Sequence, residues 1–135
     1  MRLLVVDENR VLPWVVERLV PPGVRVEIAP GYEAAARVIR TDPPAAVVVS
    51  LPPAWLPWRD FQKLCASRQP PIPVLYESCL IGNAAELGLD PADGYAAFLE
   101  KPAPRARLQA ALHALVARAR AAAKPVGSAP QPADL

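Results

Sequence analysis

Asp7 and Glu8, Ser50, Ser78 and Lys101 each follow a short, mainly apolar run: RLLVV before Asp7, AAVVV before Ser50, VLYE before Ser78 and YAAFLE before Lys101. Two adjacent carboxylates offer the oxygen ligands that a hard divalent cation prefers. Hydroxyls and an ammonium are groups that contact or neutralise a phosphate. The same set also supports plainer chemistry. Lys101 can pair with Asp7 and Glu8 as a static salt bridge, Ser50 can be a small inert residue, and Ser78 can bond nearby backbone. The first chemistry needs all five at one place. That follows if the runs are parallel strands of an open α/β sheet, whose functional crevice lies beyond the strands' carboxyl ends.

The elements needed for this are legible in the prolines. The chain has 135 residues with 18 prolines and 6 glycines. Its proline share is well above the typical ~5%, yet proline and glycine together stay below the roughly 25–30% of low-complexity disorder. Pro21-Pro22, Pro30, Pro43-Pro44, Pro52-Pro53, Pro57, Pro70-Pro71, Pro73, Pro91, Pro102 and Pro104 separate segments that alternate in character. Arg2 to Val6, Val24 to Ala29, Ala45 to Ser50, Val74 to Ser78 and Tyr95 to Glu100 have strand length and β-formers, and three are nearly continuous apolar runs. Strands of a parallel sheet covered on both faces read this way. Helical spacing is expected over Val11 to Val20, with Val11, Trp14 or Val15, and Arg18-Leu19 on a stripe. It is also expected over Glu33 to Arg40, Trp58 to Arg68 and Arg105 to Lys124, with a short, weaker helix over Ala84 to Gly88. Pro13 falls in the first turns of a helix, where proline is tolerated. Alternation of five strands with helices predicts an α/β fold: a doubly wound five-stranded parallel sheet in a three-layer sandwich. One domain is expected over 1–123, followed by a flexible proline-rich tail over 124–135.

The composition also excludes classes of function. No apolar run approaches the ~18 residues of a membrane span, and the start MRLLVVDENR lacks a signal-peptide core and cleavage site. The expected location is the cytoplasm. Cys65 and Cys79 form no C-x-x-C pair and read as buried free thiols. A net charge of +2 with scattered basic residues gives little drive toward nucleic acid.

Four segments together resemble the receiver domains of two-component response regulators, over roughly Met1 to Arg120: LLVVDEN, PPAAVVVS, IPVLYES and GYAAFLEKP. The resemblance implies the receiver, flavodoxin-like (βα)5 fold. It also implies that an acid pair binds magnesium, that an aspartate ending the third strand accepts phosphoryl from a histidine kinase, and that a hydroxyl and a lysine contact the phosphate. On this chain Asp7 and Glu8 match the acid pair, Ser78 the hydroxyl, Lys101 the lysine and Phe98 an aromatic rotamer switch. Ser50 stands where the family has the phosphoacceptor aspartate. An alcohol gives a stable ester and needs a base to activate it, unlike the carboxylate that forms an acyl phosphate. Ser50 is therefore not expected to take that transfer, and magnesium binding at Asp7 and Glu8 is expected to be weak or absent. Leu51 to Trp58 also departs from the family, with prolines that stiffen the loop and Pro52 where the family offers a metal-binding carbonyl.

The remaining residues carry open alternatives. Trp55 and Trp58 either form a partner surface, tryptophan being favoured at hot spots, or cover the altered pocket or pack on the sheet edge. Phe98 is either the switch or else core filler or a surface ring. His113 is expected to face solvent, and Glu77 interrupts an apolar run, which suggests a partner or helix-end contact. Arg105, Arg107, Arg118 and Arg120 form a solvated face or a partner surface. The expected function is that of a stand-alone, atypical receiver, not an enzyme, that signals by protein–protein contact without phosphorylation. Its partner would be another signalling protein, with a homodimer through the fourth helix, fifth strand and fifth helix as one arrangement. The alternative is a receiver-like domain whose altered pocket or surface binds a small ligand as its signal.

Overall fold

A computed structural model describes residues 1–8, 11–50, 58–78, 96–100 and 103–123. Its elements are β1 (Arg2–Val6), α1 (Val11–Leu19), β2 (Arg25–Ala29), α2 (Tyr32–Thr41), β3 (Ala46–Ser50), α3 (Trp58–Ala66), β4 (Val74–Ser78), β5 (Ala96–Glu100) and α4 (Arg105–Ala123). The helix expected over Ala84 to Gly88 and the tail over 124–135 lie outside the described residues.

All the strands pair in parallel, in the order β2-β1-β3-β4-β5. The chain moves outward from β1 in one direction to β2 and in the other to β3, so the switch point of this doubly wound sheet lies between β1 and β3. Alternate side chains of each strand enter opposite layers. Leu4, Val6, Val47, Val49, Val74 and Tyr76 pack with Ala35 and Ile39 of α2 and with Phe61 and Cys65 of α3. Leu3, Val5, Val48 and Leu75 pack with Val16 and Leu19 of α1 and with Leu108, Leu112 and Leu115 of α4. Burial on both faces is why β1, β3 and β4 needed apolar residues at consecutive positions. Each fully buried aliphatic side chain contributes about 1.5–3 kcal/mol against exposure.

Two helices show how the layers select a face. On α4 the expected stripe of Leu108, Leu112, Leu115 and Ala119 is the buried one. On α1 the stripe is shifted by one position. Leu12, Pro13, Val16 and Leu19 are buried, whereas Val11 is 63% and Trp14 57% exposed. Both stripes are apolar, and contact with β2 and α4 decides between them. Exposed Trp14 instead carries the Arg18 guanidinium, whose central carbon lies 3.6 Å from the ring centroid.

The strands' amino-terminal edge is tied by Arg2. Its Nε donates to Glu27 Oε1 at 3.0 Å, its Nη1 to Asp42 Oδ1 at 3.1 Å and its Nη2 to the Asp42 carbonyl at 3.0 Å. The hydrogen bond from Arg2 holds the Glu27 carboxyl below its ordinary range. Both carboxylates come from segments far away in sequence, so only the folded sheet assembles this cluster.

Candidate functional site

The parallel register brings the carboxyl ends of the strands into line. The Asp7 N–H donates to the Ala29 carbonyl at 3.1 Å, which carries the β1 path one residue past its strand alongside β2. Val6 pairs with Val49 across β1 and β3, so the next residues, Asp7 and Ser50, are neighbours. Ser50 in turn is in register with Glu77 of β4. Asp7 and Ser50 are half-buried, and Glu8 is exposed. Ser78 is in register with Glu100 at the end of β5. Lys101, Cys79 and Trp55 lie outside the described residues, and Trp58 is the first residue of α3. The structure thus gathers Asp7, Ser50 and Ser78 at one edge by backbone position, as the strand ends implied.

Glu77, for which a contact with a partner or a helix end was expected, is 7% exposed. The physical reason is strand parity. Val48 and Leu75 are register partners that both face the α1–α4 layer. Ser50 and Glu77 stand two residues beyond them and therefore share that face. Asp7, two residues after Val5, has the same parity. The row Asp7–Ser50–Glu77 accordingly places a hydroxyl between two carboxylate-bearing residues on adjacent strands. The polar residue inside VLYES was the available signal, but only the register shows what it faces.

Phe98 belongs to a packed aromatic group. Its ring stacks on Tyr76 at a centroid distance of 5.2 Å and an interplanar angle of 21°. Tyr76 is fully buried, and its hydroxyl donates to Gln62 Oε1 of α3 at 2.8 Å. Gln62 is itself only 5% exposed. This bond satisfies the polar tip of a ring that fills the α2–α3 layer, and the stack adds about 0.5–1.5 kcal/mol beyond area burial. Movement of Phe98 as a switch would have to break the stack. Neither Tyr76 nor Gln62 was singled out in the sequence.

Cys65 is a buried free thiol, as expected, and burial pushes its pKa up to about 12. His113 is exposed, but it also meets the Leu19 carbonyl at 3.2 Å. A carbonyl only accepts, so Nε2 carries the proton and donates to an end group that α1 cannot satisfy itself. Arg105, Arg107, Arg118 and Arg120 are all exposed on α4.

Among the described residues, the donor set at this edge does not fit a tightly held divalent cation. Magnesium is held by carboxylates in near-octahedral oxygen geometry, and here the central position offers a neutral hydroxyl while Glu8 is exposed. Among the described residues no group of three or more His, Cys, Asp or Glu side chains is arranged to hold a metal. No described helix is long and apolar enough to cross a membrane.

This order of strands, with helices on both faces, is the receiver fold, in the flavodoxin-like class. No family model matches the chain, and no curated protein matches it. Solved structures do. The chain is similar to a two-component transcriptional regulator AraC from Clostridium phytofermentans ISDg, with a TM-score of 0.70, 14% identity, and 92% of this chain and 99% of that one covered. It is also similar to a response regulator receiver domain from Bermanella marisrubri, with a TM-score of 0.62, 28% identity, and 85% and 97% of the two chains covered. A third is a response regulator from Burkholderia pseudomallei bearing a phosphorylated aspartic acid, a calcium ion and citrate, with a TM-score of 0.62, 22% identity, and 96% and 75% covered.

Proposed function

We propose that this chain is an atypical receiver domain, a signalling module that acts through contact with another protein and takes no phosphoryl group. The fold supports a role in signal transduction in general. The observation that carries the specific reading is Ser50 at the end of β3, in register with Glu77 and next to Asp7. This is the position that resembles the phosphoacceptor aspartate, and its hydroxyl cannot form an acyl phosphate. With a hydroxyl in place of a carboxylate at the Ser50 position, the fold serves as a platform. Its output comes from an exposed surface in the cytoplasm, either toward another signalling protein or a second copy through the last strand and last helix. Exposed arginines along α4 supply a charged surface for the latter. Trp14, 57% exposed, supplies a hot-spot side chain for a partner on α1.

The test is incubation with acetyl phosphate and magnesium followed by intact mass. No added mass is the expected result. A phosphoryl group that appears and is then lost at alkaline pH, as an acyl phosphate is, overturns the reading.

A further inference from the structure

The opposite edge of the sheet, where the strands begin, holds a cavity of about 310 Å3. Its walls come from the Pro43–Ala45 connection into β3, the Arg68–Ile72 connection into β4, Arg2 at the start of β1, and the last turns of α4. The volume is at the lower end of small-molecule sites and equals that of about ten liquid waters. A five-residue strand at about 3.3 Å per residue separates this edge from the Ser50 row by roughly 17 Å. The two regions are distinct.

Most of the wall is apolar, with Pro44, Pro70, Pro71, Ile72 and Ala119 contributing. Two arginines interrupt it, in different states. Arg2 is committed, with Nε and both Nη atoms donating to Glu27 and Asp42. Arg68 is not. Its Nε is buried with no hydrogen-bond partner, and no ion pair of its guanidinium occurs among the described residues. A buried donor attached to a charged group is expensive to leave unmade, and such exceptions in a folded chain point to a missing partner. Charges at this edge indicate which partner. Arg2, Arg25, Arg68 and the Met1 ammonium are opposed by Glu27 and Asp42, which leaves this edge with an excess of positive charge. That excess suits an anion, and the apolar wall favours one with an apolar body over inorganic phosphate.

We propose that this cavity binds a small carboxylate with an apolar body, held through Arg68. A turn of the side chain that brings Nε and one Nη to the cavity would let the planar guanidinium donate two parallel N–H bonds to the carboxylate oxygens, a geometry a lysine cannot reproduce. The prolines, Ile72 and Ala119 take the apolar body. Nothing in this depends on whether the carboxyl end of the sheet is phosphorylated, so the inference goes beyond the signalling reading and stands or falls separately from it.

Benzoate is a suitable probe, titrated into the full 15N-labelled chain and followed by amide chemical shifts. Saturable shifts are expected at Ala45, Arg68, Gln69, Ile72 and Ala123. Benzamide, similar in shape but uncharged, and inorganic phosphate, charged but without an apolar body, are each expected to bind at least about tenfold more weakly. Arg68→Met should weaken benzoate by about tenfold or more, whereas Arg105→Met, which removes the same charge from an exposed site on α4, should change it by less than about twofold. Arg68→Lys keeps the charge without the fork, protects the test against misfolding of the Met variant, and should still bind severalfold more weakly. Absence of saturable shifts at these amides overturns the proposal. So does equal binding of benzamide or phosphate, or equal loss in the Arg68 and Arg105 variants.

Discussion

Replacing Ser50 with aspartate should make the protein less stable at neutral pH, and the structure supplies the size of the effect. Ser50 is in register with Glu77 on a face both share, and Glu77 is 7% exposed. Adjacent strands lie about 5 Å apart. Two unit negative charges at about 5 Å interact by roughly 3 kcal/mol at an effective dielectric near 20. S50D should therefore lose about 2–3 kcal/mol in urea melts at pH 7 without divalent cations. The sign with pH follows from linkage. The new carboxyl titrates at a higher pH in the folded than in the unfolded chain, so the deficit is absent below about pH 4, where unfolded aspartate is protonated. It then grows as the pH rises over about two units and stays constant above that. Magnesium should reverse part of it, because Asp7, the new aspartate and Glu77 would supply acids across three adjacent strands. A cation at ten times its Kd adds about 1.4 kcal/mol. Adding E77Q to S50D should restore most of the loss, in a double-mutant cycle that isolates the pair. If S50D matches the parent to within about 0.5 kcal/mol at every pH, or if E77Q rescues nothing, the Ser50–Glu77 neighbourhood is not as described.

Two further outcomes test the layers themselves. Leu112, fully buried where α4 meets the sheet, should cost about 2–5 kcal/mol when replaced by alanine; a urea midpoint almost unmoved would mean that α4 does not pack as described. Cys65, its pKa raised from 9.0 to about 12 by burial, should be labelled by a thiol reagent only as fast as the chain opens, as read by peptide mass. Because the unfolded thiol ionises first, this group should also erode stability as the pH rises from about 9 toward 12. Rapid labelling of Cys65 in the folded protein would refute its place in the α3 layer.

Much of the fold was legible because its signals are local. Prolines mark the joints, consecutive apolar residues mark β1, β3 and β4 as strands covered on both faces, and the Leu108, Leu112, Leu115 stripe marks α4. Once the strands are taken as parallel, the positions of Asp7, Ser50 and Ser78 at one edge follow, since each ends or directly follows a strand. Trp14 shows where local pattern stops. It is as apolar as its neighbours, yet it lies outside because β2 and α4 meet the Leu12–Val16–Leu19 face of α1 instead.

By itself, the amino-acid sequence determined that the chain builds a doubly wound parallel sheet, and that a serine stands where the resemblance to receivers puts an aspartate. Both are matters of residue identity and of spacing within a few residues. Tertiary structure alone decided that Glu77 shares a row with Ser50, that Phe98 is stacked on Tyr76 above Gln62, and that Arg2 is occupied by Glu27 and Asp42 while Arg68 is left over in a cavity. Those pairs are separated by up to dozens of residues in the chain. What brings them together is strand register and the packing of both helical layers on the sheet, and a shift of one residue in β4 or β5 would turn Glu77, Tyr76 or Phe98 to the other face.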